Sequence, residues 1–213
     1  MEREHLTSPL AYRVAILVFD EVEVLDFAGP FEVFSVSRLN DGTAAFDVFV
    51  ISLDGEPVTA RNGLGVIPHG GLDSLAACDV LVIPGGFGTR PLLADPDVRA
   101  RVTAASAMAQ ATLSVCTGSL VLAAYGLLRG LAATTHVDAM DELRAIDPSI
   151  DVRPQARIVD NGKILTSAGV SAGIDAALHL VSRLAGPEVA IETARYVQYD
   201  WRHPQADGAG PAA

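Results

Sequence analysis

At 213 residues, half of them apolar, the chain is long enough for one domain with a substantial core and short for two. Its net charge of −11 suits a soluble protein and argues against non-specific binding to nucleic acid or anionic membranes. The stretch Met1 to Tyr12 has mixed charge and no apolar h-region, no apolar run reaches the length of a membrane span, and only Cys78 and Cys116 are available for disulfide chemistry. A reducing, cytoplasmic setting is therefore expected.

Residues 1–11 read as a flexible extension. Val14 to Phe19 is a continuous apolar run, the pattern of a strand covered on both faces. An amphipathic segment follows from about Leu25 to Leu39, and Gly29-Pro30 is expected to open its helix, because Pro is tolerated in a first turn. Phe46 to Leu53 is a second strand, and Val58 to Pro68 is a short hairpin with Asn62-Gly63 at its tip. Asp79 to Ile83 is a third buried strand that runs into Pro84-Gly85-Gly86. Asp95-Pro96 starts a helix reaching about Ala109.

Thr112 to Val115 reads as a central strand, and the Ala- and Leu-rich segment after Cys116 reads as a helix with no ordinary loop between them. Ala132 to Thr135 is a short strand ending at His136, and Asp138 to Ile146 is helical. Asn161-Gly162 joins a hairpin of Arg157–Asp160 and Lys163–Ser167. Ala172–Leu184 and Pro187–Tyr199 are closing helices, and residues 206–213 form a frayed tail. Strands alternating with helices predict an α/β fold with a mostly parallel sheet, in one domain over residues 12–205. In such sheets ligands collect at the carboxyl edge, where Asp20 to Asp26, Gly85-Gly86 and Cys116-Thr117 converge.

Cys116 is the residue around which chemistry is organised. A strand-to-helix turn exposes a side chain on strained backbone, and a helix N-terminus favours a thiolate. A free cysteine is by residue type most often a buried, inert one; here Thr117-Gly118-Ser119 clear space beside the sulfur. The main-chain N–H groups of Gly85 and Gly86, with that of Thr117, are expected to line an oxyanion-type pocket. Gly85-Gly86-Phe87-Gly88 lacks the spacing of a dinucleotide fingerprint, and no phosphate loop occurs.

Asp26 lies between apolar neighbours near a helix start. It is either an N-cap or a carboxyl of raised pKa able to donate a proton, and its spacing leaves both open. Glu23 is a nearby alternative. His136, at a strand end, is a candidate base for the cysteine. His69, His179 and His203 show no metal-ligand spacing, so no metal site is expected. Cys78 reads as structural, and Phe27, Phe87 and Val170 as apolar pocket walls.

With these residues in place, the chain resembles the DJ-1/PfpI superfamily from Val14 to about Trp201, and within it the isonitrile hydratases. The resemblance rests on Leu25-Asp26-Phe27-Ala28-Gly29-Pro30, Ile83-Pro84-Gly85-Gly86, Ser114 to Leu122 around Cys116, Ala133-Thr134-Thr135-His136 and Thr166 to Asp175. It implies a flavodoxin-like sandwich and a homodimer. It also implies hydration of an isonitrile to an N-substituted formamide, with Cys116 as nucleophile, Asp26 as acid and base, and Thr117, Gly86, Gly118, His136 and Val170 around the substrate. Hydration consumes no redox equivalent, so no cofactor is implied. Protease-like and amidotransferase-like branches carry His where this chain has Thr117, and other branches carry Glu where it has Asp26. Hydratases commonly read Thr-Thr-His-Trp, whereas Val137 follows His136 here, which alters the pocket.

The same pattern occurs in sensor domains of AraC-type regulators, but no helix-turn-helix segment follows in this sequence. Two other readings fit a reactive cysteine here: glyoxalase- or deglycase-like carbonyl chemistry, and a non-catalytic redox or ligand sensor.

Overall fold

Six strands form the central sheet in the order β2-β1-β5-β6-β10-β9. The computed structural model describes residues 11–201, so the proposed extension (apart from residue 11) and tail lie outside the described residues. β1 (Tyr12–Leu17) pairs in parallel with β2 (Phe46–Ile51) on one side and β5 (Val80–Ile83) on the other. β6 (Ala111–Val115) lies parallel between β5 and β10 (Ile164–Ser167), and β9 (Ile158–Asp160) closes the sheet antiparallel to β10. β5 and β6 are buried at every position, as strands covered on both faces are; β5 is wholly apolar, while β6 also buries Thr112 and Ser114.

The chain leaves β1 leftward to β2, then returns to β5 on the other side, so the strand order reverses between β1 and β5. Right-handed crossovers then put helices on both faces. α1 (Val24–Val36), α6 (Ala172–Ala185) and α7 (Pro187–Tyr196) pack together. α3 (Pro96–Met108), α4 (Gly118–Ala124) and α5 (Met140–Ile146) follow from the rightward crossovers, with the short α2 (Thr89–Leu92) against α4. Asp95 caps α3, its carboxylate accepting the Asp97 and Val98 N–H groups, as Asp95-Pro96 predicts.

Several boundaries differ from expectation. α1 begins at Val24, not at Gly29-Pro30, so Pro30 sits inside the helix. The apolar surface from Phe27 to Phe34 is buried against the sheet and α6, and this packing outweighs the hydrogen bond that proline cannot make. The β3 (Val58–Thr59) and β4 (Gly65–Val66) hairpin forms with Asn62 at φ 63°, as its turn residues predict. The strand expected to end at His136 is shorter. β7 (Ala132–Ala133) pairs with β8 (Asp151–Val152) in a separate two-stranded sheet, because the Thr134 N–H turns to the Thr166 hydroxyl. α7 stops at Tyr196, three residues early.

Candidate active site

The reversal between β1 and β5 opens a crevice at the carboxyl edge, and the loops after β1, β5, β6 and β10 meet there. Two of these loops are sewn together by the main chain: the Glu23 N–H donates to Gly85 O at 2.9 Å, and Val22 bridges Gly86. Gly86 adopts φ 123°, and a Cβ on it would stand 2.3 Å from Glu21 O, so no other residue fits this crossing.

Cys116 follows β6 with φ 56°, a left-handed conformation that a side chain holds only when its surroundings impose it. Its N–H points to the carbonyls of Ser167 and Ala168, and its own carbonyl accepts the Thr135 hydroxyl at 3.0 Å and the Ser119 hydroxyl at 3.1 Å. Gly118 then lets α4 lie directly on the end of β5, since a Cβ there would be 2.0 Å from Ile83 O. The sharp turn is thus made by packing as much as by the residue itself.

Asp26 stands in the first turn of α1, fully buried, while Glu23 holds the N-cap position. The N-cap alternative is therefore set aside. One carboxyl oxygen, Oδ2, accepts the Gly85 N–H at 3.0 Å, and Oδ1 is buried without a hydrogen-bond partner. Burial pushes the pKa of Asp26 up to about 7, and nearby Glu23 adds to this; the Cys116 thiol and the Gly85 and Val170 N–H groups oppose it.

The thiolate expected from a helix N-terminus is not what the site favours. Burial, followed by the charge of Asp26, raises the Cys116 pKa to about 12, against the pull of the Thr117 and Val170 N–H groups. α4 is only seven residues long, and its terminus does not outweigh these effects. Cys116 is thus a buried thiol at a strained turn, and both descriptions of it hold.

Thr117 binds the opposite loop. Its hydroxyl accepts the Gly86 N–H at 2.9 Å and faces Gly86 O at 3.2 Å, while the Thr89 hydroxyl and Arg90 Nη1 also donate to Gly86 O, at 2.8 and 3.1 Å. The Gly86 N–H and the Thr117 hydroxyl, both expected to contact substrate, are therefore engaged with each other. The Thr117 and Val170 N–H groups are the ones that lower the pKa of the Cys116 thiol.

A pocket of about 350 Å³ opens over the sulfur, lined by Cys116, Thr117, Gly86, His136 and Val170, and at the rim by Glu23, Arg61, Phe87, Arg90 and Asp138. His136 Nδ1 accepts the Asp138 N–H at 3.2 Å, which puts the proton of the neutral ring on Nε2. Arg61 lies over the exposed Phe87 ring, 4.1 Å from its centroid, and pairs with Glu23 at 3.6 Å. Arg90 is held by Glu142 at 2.6 Å. Phe27 belongs to the core and not to the pocket, and Cys78 is buried with its thiol pKa pushed up to about 11 by burial.

The two arginines are the residues that sequence reasoning missed. Arg61 sits on a hairpin outside the sheet and Arg90 on a four-residue helix, so no strand-end signal marks either. Among the described residues no group of His, Cys, Asp and Glu is arranged to hold a metal ion, and no helix is long and apolar enough to cross a membrane.

Several known proteins are similar to this chain. An isonitrile hydratase from Pseudomonas putida is 35% identical over 206 residues, covering 95% of this chain and 84% of that protein. The HTH-type transcriptional regulator CdhR from Pseudomonas aeruginosa is 37% identical over 144 residues, 67% of this chain and 42% of the regulator. The crystal structure of a THiJ/PfpI family protein from Pseudomonas syringae matches with a TM-score of 0.80 at 30% identity, covering 96% of this chain and 82% of that one. Drosophila melanogaster DJ-1beta shares the fold, with a TM-score of 0.80 at 21% identity over 90% of this chain and all of that one. The DJ-1/PfpI family pattern matches residues 12–183, which span β1 through most of α6 and so contain every residue of the pocket. The chain belongs to the DJ-1/PfpI family.

Proposed function

We propose that the protein hydrates an isonitrile, R–N≡C, to the formamide R–NH–CHO. The observation that carries this reading is the pairing of a buried carboxyl, Asp26, with the Cys116 thiol under a pocket for a small molecule. The likeness to an isonitrile hydratase supports it.

The terminal carbon of an isonitrile is both an electrophile and a proton acceptor, so it needs a nucleophile and an acid on one side. Cys116 Sγ attacks that carbon as its proton passes to the Asp26 carboxylate, and Asp26 delivers the proton to the same carbon. The product is a thioimidate, R–N=CH–S–Cys116. The transient negative charge on sulfur faces the Thr117 and Val170 N–H groups. Asp26, again a carboxylate, then takes a proton from water as the water oxygen bonds to the thioimidate carbon. The C–S bond breaks, nitrogen ends protonated, and the thiol and carboxylate are restored. No electrons are exchanged, so the cycle needs no redox partner.

The test is mass-resolved product formation from a simple isonitrile, with wild type and Cys116→Ala side by side. Formamide from the wild type alone supports the reading; formamide from both, or from neither, overturns it. Turnover of methylglyoxal instead would favour the carbonyl chemistry. Stoichiometric peroxide oxidation of Cys116 without turnover would favour a sensor, although a thiol held protonated at neutral pH is a slow target for peroxide.

A further inference from the structure

Val170 is the strained residue of the site that nothing around the sulfur explains. It is β-branched, yet its φ is 55°. A residue of this kind is strained in the left-handed region and persists there only where the surroundings over-determine it. Val170 lines the pocket together with Cys116, and its N–H helps to lower the pKa of both the Cys116 thiol and the Asp26 carboxyl.

What grips the turn is Arg157, which precedes β9 and lies outside the pocket. The Arg157 carbonyl accepts the Ala168 N–H at 3.0 Å, and the Ala168 carbonyl in turn faces the Cys116 N–H at 3.3 Å. On the other side of Val170, Arg157 Nη2 donates to the Ser171 hydroxyl at 3.2 Å, and Nε donates to Asp175 Oδ2 in the first turn of α6 at 2.6 Å. The Tyr199 hydroxyl donates to the same Asp175 oxygen at 2.9 Å and accepts from Arg157 Nη2 at 3.3 Å. The Asp175 side chain is 13% exposed and that of Arg157 52%, so a half-exposed guanidinium is held on a nearly buried carboxylate. The Arg157 side chain thus holds the residues that follow Val170, while its main-chain carbonyl holds Ala168 on the other flank.

We propose that Arg157 is a positioning residue: clamped by Asp175, Ser171 and Tyr199, it holds the 168–171 turn so that the Val170 amide stays aimed at the Cys116 sulfur. Without the clamp, Val170 relaxes toward negative φ and its N–H swings away. The proposal concerns the sulfur and its donors, and stands whether or not the substrate is an isonitrile.

The experiment is the second-order rate of Cys116 alkylation by iodoacetamide at pH 9, followed by intact mass with Cys78 replaced by Ala in every protein. Losing one donor to the thiolate in Arg157→Met lowers that rate by roughly threefold to tenfold, and Arg157→Lys, which keeps charge without the fork, recovers part of it. Tyr199→Phe lowers it less, and serves should Arg157→Met not fold. The control is Arg183→Met, which cuts a comparable tie between β9 and α6, to Asp160 at 2.9 Å, without touching the turn; its rate matches wild type. A rate for Arg157→Met (or, failing that, Tyr199→Phe) equal to or above wild type, or an equal loss in Arg183→Met, overturns the proposal.

Discussion

Asp26 raises the pKa of Cys116, while the Cys116 thiol lowers that of Asp26, so the pair keeps its last proton on sulfur. Between a carboxyl titrating at about 7 and a thiol at about 12, the resting pair carries one negative charge on the carboxylate. In the proposed cycle Asp26 therefore acts as a base toward sulfur first, and as an acid only after it has taken that proton.

The form with an ionised Asp26 is the reactive one, so kcat/KM for formamide formation rises with pH through an acid limb near 7 and then levels off. Asp26→Asn abolishes the limb and lowers turnover by about 10²-fold or more. It also removes a negative charge beside the sulfur, so the thiol of the variant is more acidic and alkylates faster at pH 8 than that of the wild type. Opposite movements of turnover and alkylation identify a proton-transfer role; parallel losses would point to a damaged pocket.

The same carboxyl tunes stability. Its pKa is raised on folding, from 3.8 to about 7, so its contribution is fully present below pH 4 and is lost as pH climbs to 7. The full swing is on the order of 4 kcal/mol. Urea unfolding across this range will show a downward slope with rising pH for the wild type, and a flatter one for Asp26→Asn.

Thr117 ties α4 to the Gly86 loop through a hydroxyl that valine lacks. Thr117→Val leaves the Gly86 N–H without its acceptor and destabilises the protein by about 1–3 kcal/mol, whereas Thr117→Ser keeps the bond and most of the stability. Denaturant midpoints of the two variants provide the comparison.

Gly118→Ala places a methyl group against the Ile83 carbonyl, which is sheet backbone and cannot move aside. A loss above about 3 kcal/mol is expected, with the thermal midpoint as readout. Gly126→Ala meets nothing within 4 Å but must hold φ 78°, so it reports strain without a clash and should cost less.

The sheet was legible because the cores of β1 and β5 are apolar runs and Asn161-Gly162 marks the β9–β10 hairpin. The glycines after β5 and the Cys116 elbow were legible because each follows a strand directly, and Asp26 because it is a carboxylate among apolar neighbours near a helix start. The protonation of the pair was not, since it depends on how deeply two residues far apart in the chain are buried together. The start of α1 was misplaced because Pro30 looks like an initiator, and only the packing of α1 on α6 shows that it is an interior residue. Arg61 and Arg90 escaped notice because arginines on short irregular segments carry no periodicity.

The pocket has a floor and a rim of different kinds. Its floor follows the strand ends: Gly86 after β5, Cys116 and Thr117 after β6, and Val170 after β10. Its rim consists of side chains on excursions outside the sheet: Arg61 on the β3–β4 hairpin, Phe87 and Arg90 beyond the glycines, and Asp138 in the turn after His136. A substitution at Arg61 or the Phe87 ring alters what enters without moving the sulfur, whereas Arg90 also braces the Gly86 carbonyl that Thr117 meets. Selectivity in this molecule is therefore free to drift while the reactive pair stays fixed, and the Arg61–Phe87 stack is where a change of preferred substrate can begin.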